Sequence, residues 1–461
     1  MKTIKTPIIP IQQEFATIDA PHNLDYEAIC VFVALGFFLD DDTYWQDIKV
    51  LKPAHTHTLN DSGALIKSEP WFSWYHVPKV LSFDDVLEQF TDLFESIIAS
   101  QIKKEPVILP LSGGIDSRTQ AVALSKLEAK VQAYSYEFEG GYAETKIAEK
   151  IANACNFDFK SFIIKKGYLW DVLNDLSSIN RCYSDFTHPR QMAILNDLKH
   201  MTGAFSLGHW GDVFFDSMHL PQLKPEAEVE VLKTKILKKG GLNLANDLWK
   251  HWDLKGTFED YLNARLSHLL ASISIEDTNA KFRAFKSMYW APRWTTTNLS
   301  VFEAAHPITV PYYDDSMCDF VCTVPEQFLA NRQLQIAYIK AQHQAVAKIT
   351  WQNHRPFNLN TYTFNKMPFN VPYRIWNKMA REVRLLLKEP YIQRNWELQF
   401  LGIENDKQLR SYLFDENFHS LVPKDLITEF YSKFKTKAPL ENAHPISMLL
   451  TLALWHKHYN N

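Results

Sequence analysis

Glycine is scarce in this chain: 14 in 461 residues, about 3% where about 7% is usual. With 46% hydrophobic and 22% charged residues, the shortage excludes collagen-like, low-complexity and disordered chains and leaves enough sequence for two or three cores. Basic excess is absent too. Lys and Arg total 49 against 53 Asp and Glu, for a net charge of −4, so no nucleic-acid partner is expected. The five cysteines (Cys30, Cys155, Cys182, Cys318, Cys322) are odd in number and scattered, which excludes a disulfide framework and fits a reducing cytoplasm. Cys318 and Cys322 lie four apart in a helical pattern without a further Cys/His pair, so they read as packed thiols and no zinc is assigned. No run reaches about 18 apolar residues, since Ile29 to Leu39 meets Asp40, Asp41 and Asp42. A soluble protein without a membrane partner is expected. The proline-broken stretch Met1 to Ile11 is too interrupted for a signal sequence, and the sequons at Asn60 and Asn298 carry no weight in that compartment.

What is present falls into three stretches. Residues 1–80 hold short β-type runs, such as Ala54 to Leu59, a turn at Asn60-Asp61-Ser62-Gly63, and Ala64 to Lys67. Ser82 is placed to cap a helix from Phe83. Within residues 81–220, strand patterns (Val107 to Leu111, Val131 to Phe138, Phe159 to Ile164, Ala204 to Leu207) alternate with helical ones (Ile115 to Leu127, Ala143 to Ala154). This is the signature of an α/β fold, a parallel sheet flanked by helices. Ligands of such sheets bind beyond the carboxyl ends of the strands, which points to the residues after Leu111, Phe138 and Leu207. Residues 221–461 read as mostly helical, apart from the proline- and asparagine-rich stretch Thr350 to Tyr373, an irregular region suited either to covering a site or to an ordinary surface connection.

One loop carries most of the chemical signal. In Leu111-Ser112-Gly113-Gly114-Ile115-Asp116-Ser117-Arg118, two glycines without Cβ atoms let backbone N–H groups approach an anion, and the helix that follows adds its positive end. Ser112 and Ser117 supply hydroxyl donors. Asp116 would repel bare phosphate, so its place in an anion cradle makes sense if it holds a divalent cation bridging to the phosphates. The loop therefore predicts a nucleotide bound with Mg2+, and the resemblance below makes that nucleotide ATP.

This S-G-G-x-D-S string resembles the pyrophosphate loop of the N-type ATP pyrophosphatases, and within that superfamily the chain resembles the asparagine synthetases and their relatives, the β-lactam synthetases and lasso-peptide cyclases. Further segments carry the likeness. Tyr136-Glu137-Phe138 with Glu144, Ala148 and Ala152 is similar to the family's second strand and following helix. Gly208-His209-Trp210-Gly211-Asp212 is similar to its G-E-G-x-D segment, Val310-Pro311-Tyr312-Tyr313-Asp314 to V-P-F-L-D, and Tyr26 to Trp71 to the end of its N-terminal glutaminase domain. The resemblance implies an adenine nucleotide α-hydrolase-like core at residues 81–220, a truncated glutaminase-like module at 1–80 and a helical synthetase region at 221–461. It implies nucleotide binding by Leu111, Ser112, Gly113, Gly114, Asp116, Ser117, Gly208 and Asp212, with Asp116 and Asp212 holding the metal.

Departures from the family pattern fall on the acceptor side. Met1 is followed by Lys2, so the N-terminal cysteine that releases ammonia from glutamine in the family is not expected here. The family's glutamate before V-P-F-L-D falls on Pro307, or on Glu303 with a short insertion. Its acyl-transfer lysine falls near His354, with Arg355 beside it and Lys366 further on; Arg355 supplies the same sign of charge. The expectation is an amide-forming ligase that activates a small-molecule or peptide carboxylate as an acyl-adenylate and passes it to an amine. Asparagine synthesis from free ammonia and a degenerate ATP-binding relative stand as alternatives. Homo-oligomers are compatible with all three.

Overall fold

The computed structural model describes residues 1–102, 106–387 and 389–459. Its first 70 residues form β1 (Lys2–Lys5), β2 (Phe15–Thr17), β3 (Ile48–Val50), β4 (His55–Leu59) and β5 (Leu65–Pro70). β1, β4 and β5 make an antiparallel sheet, and β2 pairs with β3. Between them lies α1 (Tyr26–Leu35), started by Asp25, whose carboxylate accepts from the Ala28 N–H at 2.9 Å, and ended by left-handed Gly36. Its residues from Ala28 to Leu35 are all buried. A helix apolar all round has to be enclosed by the fold.

The centre of the molecule is a five-stranded parallel sheet. Ser82 and Asp85 close a capping box on α2 (Phe83–Gln101), after which β6 (Val107–Pro110), α3 (Asp116–Lys126), β7 (Val131–Phe138), α4 (Thr145–Ala154) and β8 (Asp158–Ile164) alternate as the pattern predicts. Beyond α5 (Tyr168–Asn180), the chain returns to β9 (Ala204–Ser206). The fifth strand is β10 (Ile308–Thr309), giving the order β10-β9-β6-β7-β8. β7 lies on one side of β6 and β9 on the other, so the chain switches direction across the sheet between them. That opens a crevice at the carboxyl ends of β6 and β9.

Hydrophobic packing continues across the boundaries expected at residues 80 and 220. One buried cluster runs from Ile8 to Trp455, and β10 comes from the stretch expected to be helical. Tyr44 stacks on Trp455 with ring centroids 4.1 Å apart, and Arg293 donates to the carbonyls of Asp40 and Asp42. All five cysteines are buried and unpaired. Among the described residues no helix is long and apolar enough to cross a membrane.

Candidate functional site

The loop after β6 is drawn tight by its own side chains. Ser117 Oγ accepts from the Ser112 N–H at 3.1 Å and lies 3.1 Å from Ser112 Oγ, which accepts from the Gly114 N–H at 3.2 Å. The Gly113 N–H donates to Gln352 Oε1 at 3.2 Å, while the Gln352 N–H donates back to the Gly113 carbonyl at 3.0 Å. A Cβ on Gly113 would lie 2.8 Å from Gln352 Cβ, so this clasp requires glycine. Behind it, fully buried Arg118 donates to the carbonyls of Gly113, Ile349 and Thr350, and burial pulls its pKa down to about 10. Part of the irregular stretch after Thr350 is thus fastened to the loop.

The loop after β9 meets it from the other side. Trp210 takes a left-handed backbone, φ 78°, which is strained for a bulky residue, and its Nε1 donates to Ser287 Oγ at 3.0 Å. The following Gly211 passes so close to Asp116 that a Cβ would lie 2.8 Å from the carboxyl carbon. The Asp116 carboxylate accepts from Arg332 and, at 3.0 Å, from Gln335 Nε2, both on Oδ1. Oδ2 has no protein partner among the described residues. Burial pushes the Asp116 carboxyl above the ordinary carboxylate range; Arg332 opposes the shift and the charge of Asp212 adds to it. Two carboxylates that repel one another within one cavity suit a divalent cation.

Both loops line one cavity of about 670 Å³. Ser112, Gly114, Asp116 and Ser117 form one wall and Gly208 and Asp212 another, with Tyr134 to Tyr136 from the middle of β7 extending it. A family model described as asparagine synthase matches residues 89–457. The chain belongs to the asparagine synthase family. No curated protein matches it. Among solved structures it is similar to the NMN synthetase from Francisella tularensis at 13% identity, over 45% of this chain and 92% of that one, with a TM-score of 0.22. That likeness is too slight to bear on fold or function. Membership of the asparagine synthase family supports an ATP-using, ligase-type role.

The acceptor-side candidates do not join the asparagine synthase loops in this cavity. Glu303 accepts from Gln12 Nε2 at 2.6 Å, and its neighbour Phe302 takes the place on the cavity wall. His354 stacks on Trp351 with centroids 4.1 Å apart, and burial lowers its pKa. Arg355 faces a second, adjoining cavity. For His354 and Arg355 the reason is chain path: once Gln352 is clasped to Gly113, the residues that follow it leave the wall of the first cavity.

Other cations line the first cavity instead. Lys286 opens a π-helical stretch, Lys286–Thr295, that also brings Trp290 and Trp294 to the wall; burial pulls its ammonium pKa down and Asp212 opposes that. Arg190 lies over the Phe138 ring at 5.4 Å, with its buried Nε unpartnered. His209 sits edge-on to Phe302, and burial lowers its pKa to about 4. Arg118, which braces the loop from behind rather than lining the cavity, was legible because it ends the recognised loop. Arg190, Lys286, Arg332 and Gln352 stand in no local motif, because the tertiary fold alone brings them to the site.

Proposed function

We propose that the protein is an ATP-dependent ligase that activates a carboxylate as an acyl-adenylate and passes it to an amine, without glutamine hydrolysis. The convergence of two strand-end loops on one cavity, each bringing a carboxylate, supports this reading. The pyrophosphate end of ATP lies on Ser112, Gly113, Gly114 and Ser117, with Leu111 and Gly208 forming the floor, and phosphate oxygens replace Gln352 Oε1 and Ser112 Oγ as acceptors of the two glycine N–H groups. Asp116, through Oδ2, and Asp212 would hold Mg2+, which supplies charge neutralisation at the phosphates. A substrate carboxylate oxygen attacks the α-phosphorus and the bond to the bridging oxygen breaks, releasing pyrophosphate. Lys286 and Arg190 supply positive charge where the leaving group and the oxyanion develop, the task expected of Arg355. An amine then forms the C–N bond and AMP leaves. Five buried, unpaired thiols are in keeping with the reducing cytoplasm as its compartment.

ATP binding without turnover is the second reading, favoured by the ion pair of Arg332 with Asp116. Chromatography of products after incubation with ATP, Mg2+ and panels of carboxylates and amines separates the two. The ligase reading expects AMP and pyrophosphate in equal amounts; ADP with phosphate contradicts it, and ATP recovered intact from every combination favours the second.

A further inference from the structure

Beside the nucleotide cavity lies a second one of about 1040 Å³, and Glu144 and Gln352 line both. Its charge is one-sided. Arg355, Arg374, Lys378 and Arg381 line it against the single carboxylate of Glu144, and none of the four cations forms an ion pair among the described residues. Arg355 is the most telling, because its Nε and Nη2 atoms are buried without a partner. Those two atoms form one edge of the guanidinium, the edge that grips a carboxylate or phosphate through two parallel hydrogen bonds. Leaving them unsatisfied is costly unless an anion completes them. On the same wall, Asn370 Oδ1 is a buried acceptor that also lacks a partner. An unsatisfied cationic donor edge and an unsatisfied acceptor together complement a ligand with an anionic group and N–H donors.

We infer that this second cavity is the acceptor site, and that the amine it takes carries an anionic group, a carboxylate or a phosphate. The inference rests on the ligase reading above. The anionic group sits on the Nε/Nη2 edge of Arg355, with Arg374, Lys378 and Arg381 adding charge along the exposed wall. The amine points to the boundary at Glu144, where the two cavities meet. There its lone pair attacks the acyl carbon, the C–O bond to AMP breaks, AMP keeps that electron pair, and the amine proton passes to Glu144. The second cavity thereby selects the nucleophile while the first activates the carboxylate.

The test uses the full chain with ATP, Mg2+ and a carboxylate that supports ATP/pyrophosphate exchange, and offers O-phosphoethanolamine, β-alanine or ethanolamine. Amide formation at a KM at least tenfold lower for either charged amine than for neutral ethanolamine is expected, and the better of the two identifies the anionic group. Arg355→Gln should raise the KM of that amine at least tenfold and leave exchange and the ethanolamine KM unchanged. Arg374→Gln, on the exposed helix, should move the same KM in the same direction even if the first variant misfolds. Ethanolamine performing as well as the charged amines, or a KM indifferent to both substitutions, overturns the inference. If exchange fails with every carboxylate, the ligase reading has failed separately. In that case, or if no amine is captured, calorimetry with O-phosphoethanolamine decides: binding abolished by Arg355→Gln supports the site, and absence of binding to the unaltered protein overturns it.

Discussion

Gly211 stands where the two loops touch, and its missing Cβ is what lets the Asp116 carboxylate approach the helix that begins there. Gly211→Ala therefore displaces the carboxylate or the loop. Overpacking of this kind costs about 1–3 kcal/mol, and the displaced group is the one proposed to hold the metal. AMP release should fall at least tenfold while the protein still melts cooperatively, as followed by product assay and calorimetry; wild-type turnover would show that the close approach is unimportant. The scarcity of glycine makes such positions legible, since Gly113, Gly208 and Gly211 are all close approaches. Ser112 to Ser117 and Gly208 to Asp212 were readable for the same reason: a short loop after a strand is set by its own residues. Glu303 and His354 were not, because their expected roles depended on counting along the chain: Glu303 is turned to Gln12, and the clasp at Gln352 redirects the path that leads to His354.

At the scale of elements, the sheet strands β6 to β9 match their sequence patterns within a residue or two, because buried apolar runs bounded by turns admit few other arrangements. β10, two residues long, is too short to announce itself; its pairing with β9 fixes it. α1 was visible only as an apolar run that stops at three aspartates. The helix Val371–Leu386 is the opposite case, strongly amphipathic yet without one buried residue. Its basic side, with Arg374, Lys378 and Arg381, faces the second cavity. Met379, Val383 and Leu386 are exposed, at 57%, 53% and 83%. A helix held by so little buried area opens by local unfolding well below the global free energy. Hydrogen exchange should show its amides exchanging far faster than those of α1 or α3; equal protection would contradict its exposed placement.

At the scale of the whole molecule, the N-terminal stretch is built into the rest. His444 Nε2 lies 2.8 Å from the Val33 carbonyl and Arg265 pairs with Asp42 at 2.9 Å, contacts between distant parts of the chain that no local pattern encodes. Burial also governs the response to acid. It lowers the pKa values of His57, His76, His188 and His209, the last to about 4. With folded values below the unfolded value of about 6.5, the unfolded chain binds more protons as pH falls below that point, so stability is lost on acidification. For His209 the window is about 6.5 down to about 4, with a limit of about 1.4 kcal/mol per pH unit. The melting temperature should be lower at pH 5 than at pH 7, and His209→Phe should reduce the difference; no dependence between those values would contradict the burial account. The central claim, that two loops at the switch point of the sheet form an adenylating site, is tested most directly by isotope exchange between pyrophosphate and ATP across a panel of carboxylates. The account predicts exchange that depends on one class of carboxylate and disappears in Asp116→Ala; exchange unaffected by that substitution, or absent with every carboxylate, would contradict it.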